Sequence, residues 1–279
     1  MPLFIRILRW YYKYLGVFFP RYSTQLFWKT FTSVPPRPFK EHHLQFLSQA
    51  TRRDFDFGGR SIARYLFGKG AKRVLLVHGW KGLSVDFRAL IMELTKRQIA
   101  VEVFDLPGHG NSSGKTNNLL LTKRIVAHLH KREGYDAILG HSLGAAASFF
   151  AFAHHPELRI DQLVLMGMHT NTQDFFFDFK SILQIPDGLY AKIVRNLETQ
   201  LGFELERDFD AMRFLPLSNV HRMLVIHDEK DDIASMAGMK SLAAAQPNTR
   251  FFAGNHGGHY HHYKHEEVVK EVADWLISS

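Results

Sequence analysis

The sequence predicts an α/β protein with a mostly parallel central sheet flanked by helices, and three observations support this fold class. Short apolar runs alternate with segments of helical periodicity, which is typical of strand–helix–strand units. A length of 279 residues with 46% hydrophobic residues suits one large domain or two small ones. The alternation stops once, at about residues 170–218, and then resumes, which indicates an insertion.

The predicted elements follow in order from Thr51. A hairpin is predicted at Gly58-Gly59, because strand-like runs flank this pair. Four buried strands with intervening helices come next, and their sequences are RVLLVHG, IAVEVFD, YDAILG and DQLVLMGMH. After the interruption come the strand HRMLVIHD, a helix around MAGMKSLAAA, the strand TRFFAG and the closing helix HEEVVKEVADWLIS.

The interrupting segment is rich in phenylalanine and contains amphipathic stretches. We expect it to form a small helical cap insertion at the sheet edge where ligands bind in such folds. Most of its aromatic residues are expected to pack the insertion itself, and the remainder to line an apolar pocket.

The N-terminal residues 1–40 form a separate part of the predicted chain, an amphipathic helical segment and linker ahead of a domain at 41–279. Arg6, Arg9 and Lys13 fall within an arc of about 60° on a helix, and the remaining surface is apolar or aromatic. Two interpretations follow: residues 3–19 pack on the protein's own body, or they make a peripheral contact with a membrane interface.

Composition excludes several classes of function. The absence of cysteine excludes disulfides, thiolate metal sites and cysteine nucleophiles. The net charge is +8, but there is no zinc finger and no dense Lys/Arg run, so no nucleic-acid partner is predicted. Neither a signal peptide nor an uninterrupted apolar span is recognisable, so the predicted location is cytoplasmic, with membrane association as the alternative.

The motif GHSLG at 140–144 is the sharpest chemical signal. It follows an apolar strand and precedes an alanine-rich helix, the context in which G-x-S-x-G presents a nucleophilic serine. Ser142 would occupy the tight turn, with Gly140 and Gly144 leaving room for the backbone. The amide of Leu143 would face the developing negative charge on a substrate oxygen.

Other candidate residues follow later strands. The turn after LLVHG could supply a second amide donor, that of Trp80. Asp228, Asp231 and Asp232 in VIHDEKDDIA are candidate carboxylates. The stretch GNHGGHYHHYKH at 254–265 holds five histidines, which could form a metal site or a pH sensor, lie on the surface, or include one general base. No metal is predicted, because no ligand set is recognisable.

Five motifs, taken in their order along the chain, resemble the serine-hydrolase, esterase- or lipase-like branch of the α/β-hydrolase superfamily. They are HGW, FDLPGHGNS, GHSLG, IHDEKDD and GGHY. The resemblance covers about residues 52–279. It implies Ser142 as nucleophile, Asp231 as acid and His259 as base. The departures are Asp228 where the family often has glycine, and Ala234-Ser235 where proline is frequent. His256 is the chief rival of His259.

The resemblance implies a hydrolase that cleaves a small to medium apolar carboxylic ester through an acyl-enzyme on Ser142, without a cofactor. The backbone amides of Trp80 and Leu143 would form its oxyanion hole. Asp105 and His109 are interpreted as residues that shape a loop near the site. The alternatives are a non-catalytic binding protein of this fold and a peripheral membrane lipase- or thioesterase-like hydrolase; perhydrolase and protease activities also stay open.

Overall fold

A computed structural model describes residues 3–171 and 173–278, and its elements follow the predicted alternation. The strands in this part of the chain are β1 (Thr51–Arg52), β2 (Phe55–Asp56), β3 (Ser61–Ile62), β4 (Arg64–Phe67), β5 (Arg73–Val77), β6 (Ala100–Phe104), β7 (Ala137–His141), β8 (Ile160–Met166), β9 (Val220–Asp228) and β10 (Thr249–Gly254). The α-helices are α1 (Leu3–Tyr14), α2 (Pro20–Thr32), α3 (Glu41–Leu47), α4 (Arg88–Lys96), α5 (Leu119–Glu133), α6 (Leu143–Ala153), α7 (Gln173–Leu183), α8 (Asp187–Leu201), α9 (Leu205–Asp208), α10 (Ala211–Phe214), α11 (Met236–Ala245) and α12 (Glu266–Ile277). Short 3-10 turns occur at Gly16–Phe18, Ser84–Phe87, Leu215–Leu217 and His262–Lys264.

Eight of the described strands form one sheet in the order β1-β4-β6-β5-β7-β8-β9-β10. The strands β6-β5-β7-β8-β9-β10 run parallel to one another. At one edge, β4 pairs antiparallel with β6, and β1 pairs antiparallel with β4. Strands β6 and β7 are buried at every residue, as expected where helices cover both faces. The predicted mostly parallel sheet is confirmed. The hairpin at Gly58-Gly59 is confirmed as well, as β2 paired with β3.

The parallel arrangement brings the chemically interesting loops together. Strands β5, β7, β8, β9 and β10 all end at the same edge of the sheet. The loops that follow four of them carry Trp80, Ser142, Asp231 and His259. Residues that are far apart in sequence therefore meet at one edge of the sheet.

The chain divides into two compact units. One comprises Val34–Thr170 and Ala211–Ser279 and contains every strand named above. The other comprises Met1–Ser33 and Asn171–Asp210, is helical where it is described, and has an apolar core of its own. The buried members of that core are Leu8, Tyr12, Phe27, Phe176, Leu183, Ile185, Leu189, Ile193, Leu197 and Leu205.

The grouping differs from the division at residue 40 that the sequence predicts. The N-terminal helices share a core with the insertion, for example where Phe27 packs against Phe176 and Phe179 with ring centroids 5.7 and 5.3 Å apart. Such pairs join residues about 150 positions apart, so local periodicity does not reveal them. None of the described helices has both the length and the hydropathy needed to cross a bilayer.

Candidate active site

Ser142 occupies a strained turn between β7 and α6. Its φ of 53° and ψ of −119° are unfavourable for a residue with a side chain. A hydrogen bond of 2.8 Å from the Ser142 amide to the carbonyl of Met166 helps to hold the turn. A Cβ atom on Gly144 would overlap the carbonyl of Val77, so glycine is required there. The strain and the close approach are what the G-x-S-x-G motif predicts.

Two amides near Ser142 are available to a ligand. Leu143 is the first residue of α6, so its N–H lies at the positive end of the helix. The amide of Trp80 follows the end of β5. In the described residues, neither amide donates a hydrogen bond to a protein acceptor. Free donors of this kind can stabilise an oxyanion.

Two buried histidines hold the turn after β5. Nδ1 of His78 donates to the carbonyl of Gly79 at 2.8 Å, and Nε2 accepts from the amide of Leu106 at 3.0 Å. Nε2 of His109 accepts from the amide of Lys81 at 3.2 Å. Burial lowers the pKa of His78 to about 4 and that of His109 to about 3, so both rings are neutral near pH 7. His109 therefore lies at this turn and binds its backbone, in line with the loop-shaping role expected from the sequence.

Asp231 and His259 form a direct contact. The distance between Asp231 Oδ2 and His259 Nδ1 is 2.8 Å, and both side chains are buried. Asp231 Oδ1 accepts from the amides of Ile233 and Ala234 at 2.9 and 2.8 Å. Burial alone would raise the pKa of Asp231, but the hydrogen bonds from His259 and the two amides lower it to about 2. An ionised Asp231 makes Nδ1 of His259 the donor, which leaves Nε2 free to accept a proton.

The other two candidate aspartates have different surroundings. Asp228 is buried and binds backbone, because its Oδ1 accepts from the amide of Lys230 and its Oδ2 from the amide of His256. Asp232 is exposed. Of the three candidates, only Asp231 is hydrogen-bonded to His259 among the described residues.

The histidine-rich stretch separates into distinct environments. His256 is buried, with Nε2 3.0 Å from Glu267 Oε2, rather than paired with Asp231. His262 is also buried, and its Nδ1 donates to the carbonyl of Gly258 at 3.0 Å. His261 and His265 are exposed.

One grouping in this stretch was not foreseen from the sequence. His256, His265 and Glu267 have potential ligand atoms within 4.8 Å of one another. Two of the three are exposed, and His256 Nε2 is already hydrogen-bonded to Glu267. This arrangement is explained by the His256–Glu267 contact alone and does not require a metal ion.

Two residues at the site were not assigned roles from the sequence. His141, inside GHSLG, donates from Nε2 to the carbonyl of His259 at 2.8 Å and so ties the serine turn to the histidine loop. Burial lowers the pKa of His141 well below 6.5, so the ring is neutral. Gly167 follows β8 with φ +55°, and a Cβ there would lie 3.2 Å from Asp231 Oδ2 and 3.3 Å from His259 Nδ1. The sequence feature that points to Gly167 is its position directly after a buried strand.

The structure thus brings the three predicted residues to one edge, with Asp231 and His259 in direct contact. The described residues include no hydrogen bond between Ser142 Oγ and His259, and such bonds often form only when substrate binds. A cavity of about 300 Å³ adjoins the serine turn. Its lining includes His141, Trp80 and Tyr260, with Phe87 and Tyr263 on its wall.

Comparison with known proteins agrees with this fold. Residues 72–206 match the family model described as alpha/beta hydrolase fold, a range that includes the serine turn and ends before Asp231. The chain is 27% identical over 182 residues to pimeloyl-[acyl-carrier protein] methyl ester esterase of Edwardsiella ictaluri, covering 64% of this chain and 62% of the relative. It is 30% identical over 183 residues to the esterase of the same name from Salmonella newport, covering 65% and 63%.

A solved structure extends the likeness over most of the chain. The Pyrococcus furiosus esterase Pf2001 superposes with a TM-score of 0.65 at 16% identity, covering 87% of this chain and 98% of that one. Together with the sheet order, these matches show that the chain has the α/β-hydrolase fold. It spans less than two thirds of the length of the two curated relatives.

Proposed function

We propose that this protein is a serine hydrolase that cleaves a carboxylic ester through an acyl-enzyme on Ser142. The observation that carries the proposal is the 2.8 Å contact of Asp231 with His259 at the sheet edge that also holds the strained Ser142 turn. A nucleophile, a base and an acid in the order Ser, Asp, His are typical of hydrolases with this fold. The two curated relatives are named as esterases, which agrees with the proposal.

In the first half of the reaction, Ser142 Oγ attacks the ester carbonyl carbon while His259 Nε2 takes the hydroxyl proton. Asp231 stabilises the imidazolium and keeps Nδ1 protonated. The amides of Trp80 and Leu143 bind the oxyanion. Collapse of the tetrahedral intermediate breaks the bond to the alcohol, which leaves with the proton from His259.

In the second half, water attacks the acyl-serine while His259 accepts its proton and returns it to Ser142, releasing the carboxylic acid. Each step moves one proton through His259 and requires no redox partner. Removing one oxyanion donor from such a site costs about 3 kcal/mol of transition-state stabilisation.

The proposed substrate is a small-molecule ester with an apolar acyl or alcohol part. Four aromatic residues line the 300 Å³ cavity beside the serine turn, together with the charged Arg37, Lys81, Asp86 and Lys264, and the aromatic part supports an apolar group of modest size. The names of the curated relatives point to methyl esters of carrier-linked acyl chains as a class to include among the candidates. The membrane contact predicted for residues 3–19 is a separate proposal, which rests on α1 and the 3-10 turn that follows it.

The test is turnover of p-nitrophenyl esters of increasing acyl length, alongside methyl esters and thioesters of the same chains. Wild type should turn over at least one ester, and Ser142→Ala and His259→Ala should reduce kcat by more than about 10⁴-fold. His256→Ala is the matched control, because His256 is buried near His259 but contacts Glu267 instead of Asp231. Its kcat should stay within about 10-fold of wild type.

Failure of a folded wild-type sample to turn over any member of the series would contradict the proposal and favour a binding protein of this fold. Faster turnover of thioesters than of oxyesters would keep the mechanism and change the substrate class. Equal loss in His256→Ala and His259→Ala would contradict the assignment of the base.

A further inference from the structure

The N-terminal helices expose an unusual amount of apolar surface. We call this surface the aromatic ridge; it extends along α1, through the 3-10 turn and into the start of α2. Its exposed side chains are Leu3, Phe4, Ile7, Trp10, Tyr14, Leu15, Val17, Phe18, Phe19 and Tyr22. Phe18 and Phe19 at its tip are 74% and 59% exposed. Contiguous apolar surface of this extent marks an interaction site in a folded protein.

Helix α1 has two apolar faces rather than one. Leu8 and Tyr12 are buried in the core that α1 and α2 share with the insertion. With about 100° of rotation per residue, the exposed Leu3, Ile7, Trp10 and Tyr14 fall in an arc of about 60° on the other side of the helix. An ordinary surface helix has polar residues there, so folding of the chain does not account for the second face.

Within its own N-terminal segment, the aromatic ridge carries charges of a single sign. Residues 1–40 contain no aspartate or glutamate. Arg6, Lys13 and Arg21 are exposed, and Arg6 and Lys13 lie together along one flank of the apolar arc of α1. Cations bordering an apolar face complement the acidic headgroups and the acyl chains of a lipid surface, and Trp and Tyr favour the same interface.

We propose that the aromatic ridge docks this protein on an anionic lipid bilayer, with α1 lying in the interface and the tip at Phe18-Phe19 inserted among the acyl chains. The helix lies on the bilayer and does not span it, since α1 has only 12 residues. This proposal does not depend on ester hydrolysis. It extends the contact predicted for residues 3–19 to Tyr22 and specifies the lipid charge.

The test is co-sedimentation of the full chain with vesicles of equal parts phosphatidylcholine and phosphatidylserine, beside vesicles of phosphatidylcholine alone. Wild type should bind the anionic vesicles, and Phe18→Glu/Phe19→Glu should weaken binding by about 10-fold or more. The control is Met92→Glu/Leu217→Glu, which adds the same charge at side chains 54% and 58% exposed outside the ridge. The control should bind within about twofold of wild type.

A second variant tests the charge independently of the apolar tip. Arg6→Gln/Lys13→Gln should lower affinity for anionic vesicles by about 5-fold for each charge removed, and leave binding to phosphatidylcholine unchanged. The side chains altered in the two ridge variants are all exposed, so the melting temperatures of both variants should match that of wild type. These side chains are Arg6, Lys13, Phe18 and Phe19. Turnover of a water-soluble ester should persist in every variant, so a failure of this proposal is distinguishable from a failure of the hydrolase proposal.

Three results would overturn the docking proposal. One is equal vesicle binding by wild type and both ridge variants, and another is the absence of binding by wild type. The third is a wild-type dimer in sedimentation velocity that Phe18→Glu/Phe19→Glu dissociates while vesicles have no effect, which would assign the aromatic ridge to a second copy of the chain.

Discussion

Replacing Asp231 by asparagine changes one atom at the centre of the site. Oδ1 of Asp231 accepts from the amides of Ile233 and Ala234, whereas Oδ2 faces His259 Nδ1. The asparagine oxygen must keep the position that receives two amide donors, so its NH₂ group is directed at His259. That group can only donate, so Nδ1 becomes the acceptor and the proton moves to Nε2.

A proton on Nε2 prevents His259 from accepting the proton of Ser142. We therefore expect Asp231→Asn to lower kcat by about 10⁴-fold, the size of the effect that the wrong tautomer has in Ser-His-Asp enzymes. The measurement is turnover of the best ester under saturating conditions, with circular dichroism to verify folding.

Asp228→Asn is the matched control, since Asp228 is buried at the end of β9, three residues before Asp231. Both of its oxygens accept backbone amides, so an NH₂ group would face a donor and cost about 1–3 kcal/mol of stability. This variant should lose stability and keep kcat within about 10-fold. A kcat for Asp231→Asn above one tenth of wild type, or equal kcat losses in the two variants, would refute the assignment of the acid.

The lowered pKa of Asp231 also predicts a pH-dependent difference in stability between wild type and Asp231→Asn. A folded pKa lowered from 3.8 to about 2 stabilises the fold above pH 3.8, and this contribution is lost as pH falls toward 2. Asparagine has no such titration. The difference in melting temperature between wild type and Asp231→Asn should therefore narrow between about pH 4 and pH 2. A difference that stays constant over this range would contradict the strong Asp231–His259 contact.

Two further predictions concern packing near the site and in the sheet. Gly167→Ala should lower kcat by about 10-fold or more, because the added Cβ displaces the Asp231–His259 pair. Gly202→Ala is its control and should lower stability alone, because Gly202 has a similar positive φ and no atom within 4 Å of the added Cβ. Equal kcat in the two variants would contradict a role of Gly167 in positioning that pair. Arg64→Met should cost about 3 kcal/mol in urea unfolding, because the buried Glu102 loses the nearer of its two cations, at 3.1 Å, and keeps only Arg73 at 3.9 Å. Lys131→Met, at an exposed ion pair, should cost less than about 1 kcal/mol, and similar losses in both variants would show that burial of Glu102 is not decisive.

Local signals in the sequence predicted the sheet and the candidate residues of the site. The apolar runs predict β5 to β9, because buried parallel strands are apolar along most of their length, and the resumed strand–helix alternation predicts β10. The glycines of GHSLG predicted the tight turn at Ser142, since each lies where a Cβ would overlap backbone. The ordered motifs singled out Asp231 and His259, which the structure brings within 2.8 Å.

Contacts between distant segments were not predictable in the same way. The packing of Phe27 on Phe176 joins the N-terminus to the insertion, and neither segment's periodicity specifies a partner. His141 and His262 illustrate a second limit. His141 lies in GHSLG and His262 in the histidine-rich stretch, yet both rings are buried and neutral, because burial lowers the pKa of each. Which histidine is buried depends on the loop conformation, which composition does not encode.

The most direct test of the central claim is covalent labelling of Ser142. A fluorophosphonate probe incubated with the full chain should add one adduct, located at Ser142 by peptide mass spectrometry. Labelling should be lost in Ser142→Ala and strongly slowed in His259→Ala. A folded wild-type protein that takes up no probe, or that is labelled equally in Ser142→Ala, would contradict the proposal that Ser142 is an activated nucleophile.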